Sequence, residues 1–299
     1  MRLLKDFSAS AVIAGFVAVL VGFTSSAVIV FQAAQTLHAS AAEIASWMCA
    51  LGVGMGLTSI VLSMRFRVPV LTAWSTPGAA MLITSAAGVS MGEAVGAFLV
   101  SAALITLSGF SGWFERMIGR IPIAIASGML AGVLLRFGLD AFAAMRSQFA
   151  LVFPMFCAYL ICRRLLPRYA IVVTLLLGIV LAGTQGLLRV DDVRLEVATP
   201  VFTVPEFSWR ALVGVALPLY VVTMASQNVP GVAVIRASGY QVPISPLIGW
   251  TGAANILLAP FGGFALNLAA ITAAICMGPE APEDSSRRYV AAIAAGAVY

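Results

Sequence analysis

The chain has 299 residues, 61% of them hydrophobic and 10% charged, with a mean hydropathy of +1.03. A soluble fold is about 45–50% apolar and about 25% charged, so this composition excludes a cytosolic enzyme, a nucleic-acid binder and a disordered chain and leaves an integral membrane protein. The excess of 17 basic over 12 acidic residues does not bring nucleic acid back, because all but Lys5 are arginines set singly or in pairs between apolar stretches, as topology signals are.

A span needs about 20 apolar residues. In chain order, helices are expected near 9–33, 41–64, 92–114, 122–145, 149–165, 168–188, 211–237 and 244–259. The first is too long for a signal peptide and has no convincing cleavage site, so it is a span. Two segments differ from the rest. Residues 69–88 open on a β-rich run, VPVLTAWS, and turn at Thr76-Pro77-Gly78 into an apolar helix; residues 260–278 open on PFGGFAL and run into LAAITAAIC. Each reads as an extended piece followed by a half-helix, with half-helix starts near Thr76–Ala79 and Gly263–Leu266. A last span starts near Arg288 and is still running at Tyr299.

Charge fixes the orientation. With the N-terminus cytoplasmic and both broken segments crossing, twelve basic residues fall in inside loops and four (Arg146, Arg189, Arg194, Arg210) outside, with Arg136 within a span. That asymmetry favours the N-terminus inside, and it collapses if residues 69–88 do not cross. The connection from Leu188 to Arg210, carrying Asp191, Asp192, Glu196 and Glu206, falls outside and separates two halves.

The broken segments are spans three and ten, equivalent positions in a seven-span unit. An odd-numbered unit repeats in inverted orientation, and paired broken helices in inverted repeats point to a transporter's midplane site. The fold expected is therefore an all-α polytopic membrane protein, an inverted seven-span repeat transporter with two strand-plus-half-helix spans. Two units need 14 spans. The chain supplies ten and part of an eleventh, so spans 12–14 of the second repeat are expected to be absent from it.

Polar groups at bilayer depth are functional candidates. The eighth span holds Thr223, Ser226, Gln227 and Asn228 before the helix breaker Pro230-Gly231; the first holds Thr24-Ser25-Ser26. Interhelical hydrogen bonding is the competing reading of both. Asn267 would face the same cavity if the half-helix reading holds. Arg136 and Asp140 are spaced as an i,i+4 pair. Glu43 and Glu93 lie at expected outer helix starts, where a carboxylate suits the helix dipole, and Glu115 at an inner boundary. No acid occurs centrally in spans eight or ten, so a proton would have to be carried by Asp140, Glu43, Glu93 or the substrate. Cys49, Cys157, Cys162 and Cys276 lack metal-ligand spacing and His38 stands alone at a helix end, so no metal or other cofactor is expected.

The runs RVPVLTAWSTPGAA (67–80), LAGVLLRFGL (130–139), ALPLYVVTMASQNVPG (216–231) and AAITAAICMGPEA (269–281) resemble the benzoate/proton symporter family (BenE) of bacterial inner membranes, in order and along the whole chain. The resemblance implies symport of benzoate, or a similar aromatic carboxylate, with protons across the inner membrane. It also implies a fold like that of the nucleobase-ascorbate and sulfate-anion transporters. On that pattern residues 1–114 are the core of the first repeat, 115–190 its gate, 191–210 an external linker and 211–299 the core of the second repeat. The site carried over comprises Ser25, Ser26, Thr76, Gly78, Gln227, Asn228, Gly263 and Asn267. Nucleobase relatives use carboxylates on spans eight and ten; Gln227 and Asn228 stand here instead, so that mechanism does not transfer. Dimers occur in the wider fold group, and no interface motif here establishes one. The alternatives are a passive uniporter or channel for organic anions and a non-transporting fragment. A membrane enzyme lacks the catalytic cluster it would need.

Overall fold

A computed structural model describes residues 6–118, 135, 138–166, 170–188, 197–278, 281, 282 and 284–299. Five helical stretches among the described residues are long and apolar enough to cross a membrane: Ala9–Thr36, Ala41–Phe66, Met91–Phe110, Trp209–Ala237 and Ile244–Phe261. They match expected spans one, two, four, eight and nine. The fifth expected span, with Arg136, lies largely outside the described residues.

The first span is not one helix. It divides into α1 (Ala9–Thr24) and α2 (Ala27–Thr36). Three consecutive hydroxyls cause the break by bonding back to the preceding turn: Thr24 Oγ1 donates to Leu20 O at 2.6 Å, and Ser25 and Ser26 both donate to Gly22 O. Such bonds compete with the helical ladder, and Ser26 leaves it at φ −137°, ψ −4°. α3 (Ala41–Phe66) starts in a capping box in which Ser40 and Glu43 satisfy each other's backbone N–H. α5 (Met91–Phe110) repeats the device with Ser90 and Glu93.

Between them lies the first broken segment, the strand β1 (Thr72–Trp74) followed by α4 (Thr76–Ser85). Ser75 caps α4 by accepting from Gly78 N–H at 3.1 Å, and Pro77 sits in the first turn, where its missing N–H costs nothing. A short α6 (Trp113–Ile118), a helical stretch over 138–147, α7 (Phe149–Leu165) and α8 (Ala170–Thr184) follow. α7 and α8 pack on each other, with Gly178 against Met155, and α7 has no buried residue.

α9 (Trp209–Ala237) is continuous but widened twice into π-helical turns, Leu212–Ala216 and Met224–Asn228. In each, the next N–H reaches back five residues: Leu217 to Leu212 O and Val229 to Met224 O. Each π turn directly precedes a proline pair position, Leu217-Pro218 or Val229-Pro230. Proline cannot donate to the carbonyl four residues back, and the inserted residue absorbs that defect. The expected break at Pro230-Gly231 is therefore a local widening, and the helix continues to Ala237.

α10 (Ile244–Leu258) ends in a tight turn, Ala259–Phe261, closed by Gly262 at φ +90°. A side chain on Gly262 would also collide with the Trp47 indole. Next come β2 (Leu266–Leu268), α11 (Ile271–Met277) and α12 (Tyr289–Val298). The second half-helix thus starts at Ile271, and the expectation of a start at Gly263–Leu266 is corrected. The chain first spends Leu266–Leu268 on pairing with β1, and helix resumes only once that pairing is made. Two buried apolar clusters take in the paired strands, one including Leu268 and the other Trp74 and Leu266. The second includes a triad of Trp47, Phe98 and Phe264 with ring centroids 5.5–5.7 Å apart.

Gly262→Ala should therefore destabilise the fold by about 2–5 kcal/mol, adding a left-handed backbone penalty to overpacking against Trp47. A thermal-shift assay in detergent checks this; a melting temperature equal to the parent's would contradict it.

Candidate functional site

β1 and β2 form a two-stranded antiparallel ribbon with Thr72 opposite Leu268, Ala73 opposite Asn267 and Trp74 opposite Leu266. The two broken segments therefore meet strand to strand, and α4 and α11 leave from opposite ends of the ribbon.

A ribbon this short has two open edges, and lipid offers nothing to pair them. Side chains from three spanning helices close them. On the β1 edge, Ser59 of α3 accepts from Thr72 N–H at 3.0 Å, and Ser63 one turn on both accepts from Val70 N–H and donates to Val70 O at 3.0 Å. The Thr72 hydroxyl lies 2.6 Å from that of Thr58. On the β2 edge, Asn228 Oδ1 of α9 accepts from Leu268 N–H at 3.0 Å and Asn255 Oδ1 of α10 from Leu266 N–H at 3.4 Å. The ladder itself is extended by Ala269 N–H donating to Leu71 O. Gly231 lets α9 come this close, because a Cβ there would stand 2.6 Å from Leu268 Cβ and 2.7 Å from Leu268 O.

The expected site residues divide by environment. Ser26 is buried and joined to the ribbon, accepting from Trp74 Nε1 at 2.9 Å, while Phe23 meets the Trp74 ring edge-on at 5.0 Å. Ser25 is exposed and bonds only within its own turn. Thr76 and Gln227 are half-buried, and their side chains carry no hydrogen bond among the described residues. Gly78 is buried against Leu219 and Ser75. Asn228 is buried and spent on the β2 edge, its amide donating to Met224 Sδ at 3.2 Å. Asn267 lies on β2 rather than in a half-helix. Its amide donates to Ala265 O at 3.0 Å, which fixes the flip and leaves Oδ1 buried without a partner. Gly263 sits in the α10–β2 turn, its N–H donating to Leu258 O, eight residues before the helix it was expected to start. Asn255 Nδ2 and Thr223 Oγ1 are further buried groups without partners.

The acidic candidates are not brought to the ribbon. Glu43 and Glu93 are occupied as helix caps, and Asp140 is exposed on the stretch 138–147, its expected partner Arg136 lying outside the described residues. Among the described residues no three His, Cys, Asp or Glu side chains converge. Two shallow apolar depressions flank Tyr299, one lined by Phe16, Phe23 and Thr24 and the other by Met48, Gly52 and Gly56; neither contains an expected site residue. Sequence reasoning missed Ser59, Ser63, Ser75 and Asn255. Asn255 had the signal that exposed Asn228, an amide in an apolar span, and Ser59/Ser63 are an i,i+4 hydroxyl pair.

Long apolar helices enclosing two interrupted segments that pair strand to strand are the architecture expected of a polytopic membrane transport protein. The chain belongs to the family described as benzoate membrane transport protein (BenE), whose family model matches residues 5–299. It is 48% identical over 287 residues to the inner membrane protein YdcO of Escherichia coli, covering 96% of this chain and 73% of that protein. It is 41% identical over 295 residues to the benzoate membrane transport protein of Acinetobacter baylyi, covering 99% and 75%.

Replacing Asn228 with Ala strands the Leu268 N–H in a buried setting and should cost about 1–3 kcal/mol. Gln227→Ala, one residue away but half-exposed, should cost under about 0.5 kcal/mol. Parallel unfolding of the two variants checks the contrast, and equal losses would contradict it.

Proposed function

We propose that this chain is a secondary transporter that carries benzoate or a similar aromatic carboxylate together with protons across the inner membrane, with its N-terminus in the cytoplasm. The observation that carries the reading is the ribbon itself. Two spans give up helical structure at depth and meet, the arrangement expected of a midplane substrate site in an inverted seven-span repeat. The 41% identity to a protein named for benzoate transport supports the substrate class, and the distribution of arginines supports the orientation.

The substrate is placed beside the start of α4, the α1–α2 break and the second π turn of α9. Thr76 opens α4, where the helix dipole favours a carboxylate. Thr76 and Gln227 retain unspent hydrogen-bonding groups, whereas Ser26 and Asn228 already hold the scaffold. Ser25, Gly78, Gly263 and Asn267 complete the site. Residues 1–114 and 211–299 form the core, which moves against a gate of 115–190 joined through the linker 191–210. The proton travels on Asp140, Glu43, Glu93 or the substrate, and two copies of the chain associate as a dimer.

The test is uptake of labelled benzoate into proteoliposomes under an inward proton gradient. Accumulation above equilibrium, abolished by a protonophore, is expected. Equilibration without accumulation would replace symport with a passive uniporter, and no movement of benzoate by well-folded protein would remove the substrate assignment. Gln227→Leu should raise KM about tenfold or more, the loss of one hydrogen bond to a charged group.

A further inference from the structure

α10 begins at Ile244 behind Pro243, a residue with no side-chain oxygen to cap it. The acceptor comes from another helix. Glu115 of α6 takes Ile244 N–H at 3.3 Å, Ser245 N–H at 3.0 Å and the Ser245 hydroxyl at 2.5 Å. Capping is ordinarily local; here it ties α6, the last described element before residue 119, to the helix that supplies Asn255 to the ribbon.

The returning chain is held in the same manner at the other face. Val201 N–H donates to Ser46 Oγ at 2.9 Å, and that hydroxyl donates to Phe261 O at 3.0 Å. Thr203 N–H donates to Pro260 O at 2.8 Å, Glu206 N–H to Gly92 O at 2.9 Å, and Ser90 Oγ to Glu206 Oε2 at 3.2 Å. Phe202 lies edge-on to Phe261 at 5.7 Å. Gly96 has no room for a Cβ because the Glu206 carbonyl occupies the place. Residues 201–206 thus strap α3, the α10–β2 turn and the start of α5 together.

We propose that the body carrying the ribbon includes α6 and the strap 201–206, with Glu115 a positioning residue that holds the start of α10 to that body. The inference rests on the transporter reading above and revises its domain boundaries at 115 and 210. In a domain motion a few residues absorb the backbone change. Glu115 and residues 201–206, bonded to the ribbon-bearing helices, are withheld from that role.

Two experiments test it. Amide hydrogen exchange of the protein in nanodiscs needs no transport. Ile244, Ser245, Thr203 and Glu206 should exchange slowly with and without benzoate, and Glu115→Ala should speed exchange at Ile244 and Ser245 by about tenfold or more while sparing Thr203 and Glu206. Fast exchange at these amides in the parent would overturn the proposal. In uptake, Glu115→Ala should lower the maximal rate about tenfold with KM within about twofold, and Glu115→Gln, which keeps an accepting oxygen, should recover at least about half of the rate. In a background lacking Cys49, Cys157, Cys162 and Cys276, a disulfide between Gly92→Cys and Glu206→Cys should leave uptake unchanged. Arrest on oxidation, relieved by reductant, would show that the strap moves against α5 and overturn the proposal. A parent that takes up no benzoate while its anchored amides stay protected would remove the substrate assignment and leave the anchors standing.

Discussion

Backbone N–H and C=O groups at membrane depth must be paired, and in this protein that constraint is met by a strand pair whose edges are closed by side chains. Thr72, Leu266 and Leu268 each turn an N–H outward, and Ser59, Asn255 and Asn228 each supply an oxygen to one of them. An unpaired group in hydrocarbon costs several kcal/mol, so three spanning helices are pinned to the ribbon by necessity. α3, α9 and α10 cannot drift from it without stranding a donor, and the rest of the helical packing is arranged around that fixed centre.

The second consequence concerns α9. Its two π turns stand immediately before its two prolines, and the turn Met224–Asn228 adds a residue just where the side chain must reach β2. The defect that proline creates and the aim of Asn228 are thereby linked. Gly231 completes the approach by leaving room for Leu268. The run SQNVPG thus encodes backbone geometry as much as polarity, and Ser226, exposed in the same turn, takes no part in the edge.

Much of this was legible in the sequence because the signals were local. Apolar runs placed the spans to within a few residues, Glu43 and Glu93 marked caps, and Thr76-Pro77 marked the first half-helix. The second half-helix was misplaced because Gly262-Gly263 looks like a helix start, whereas strand pairing, a tertiary event, delays the helix to Ile271. The α1–α2 break was missed because three hydroxyls in an apolar run also read as close helix packing. Glu115 was legible as a boundary residue but not as a cap, since its partners lie about 130 positions away in sequence.

The chemistry of the edge also bears on coupling. A carboxylate at position 228 or 255 would accept from the strand as well as an amide does, but its charge at depth would make the ribbon's integrity depend on protonation. Amides accept the same hydrogen bonds without titrating. The ribbon therefore keeps its shape across the pH difference of an energised membrane. The contrast with Glu115 is instructive. Burial alone would raise its pKa, but the bonds from Ser245 and Ile244 and the charge of Arg236 together hold it below the ordinary carboxylate value of 4.5. Because the folded-state value is the lower one, its clamp is at full strength above about pH 4.5 and is lost only as pH falls through the depressed value. Both the ribbon and its Glu115 anchor are thus insensitive to physiological pH, and the proton of the proposed symport is held by neither.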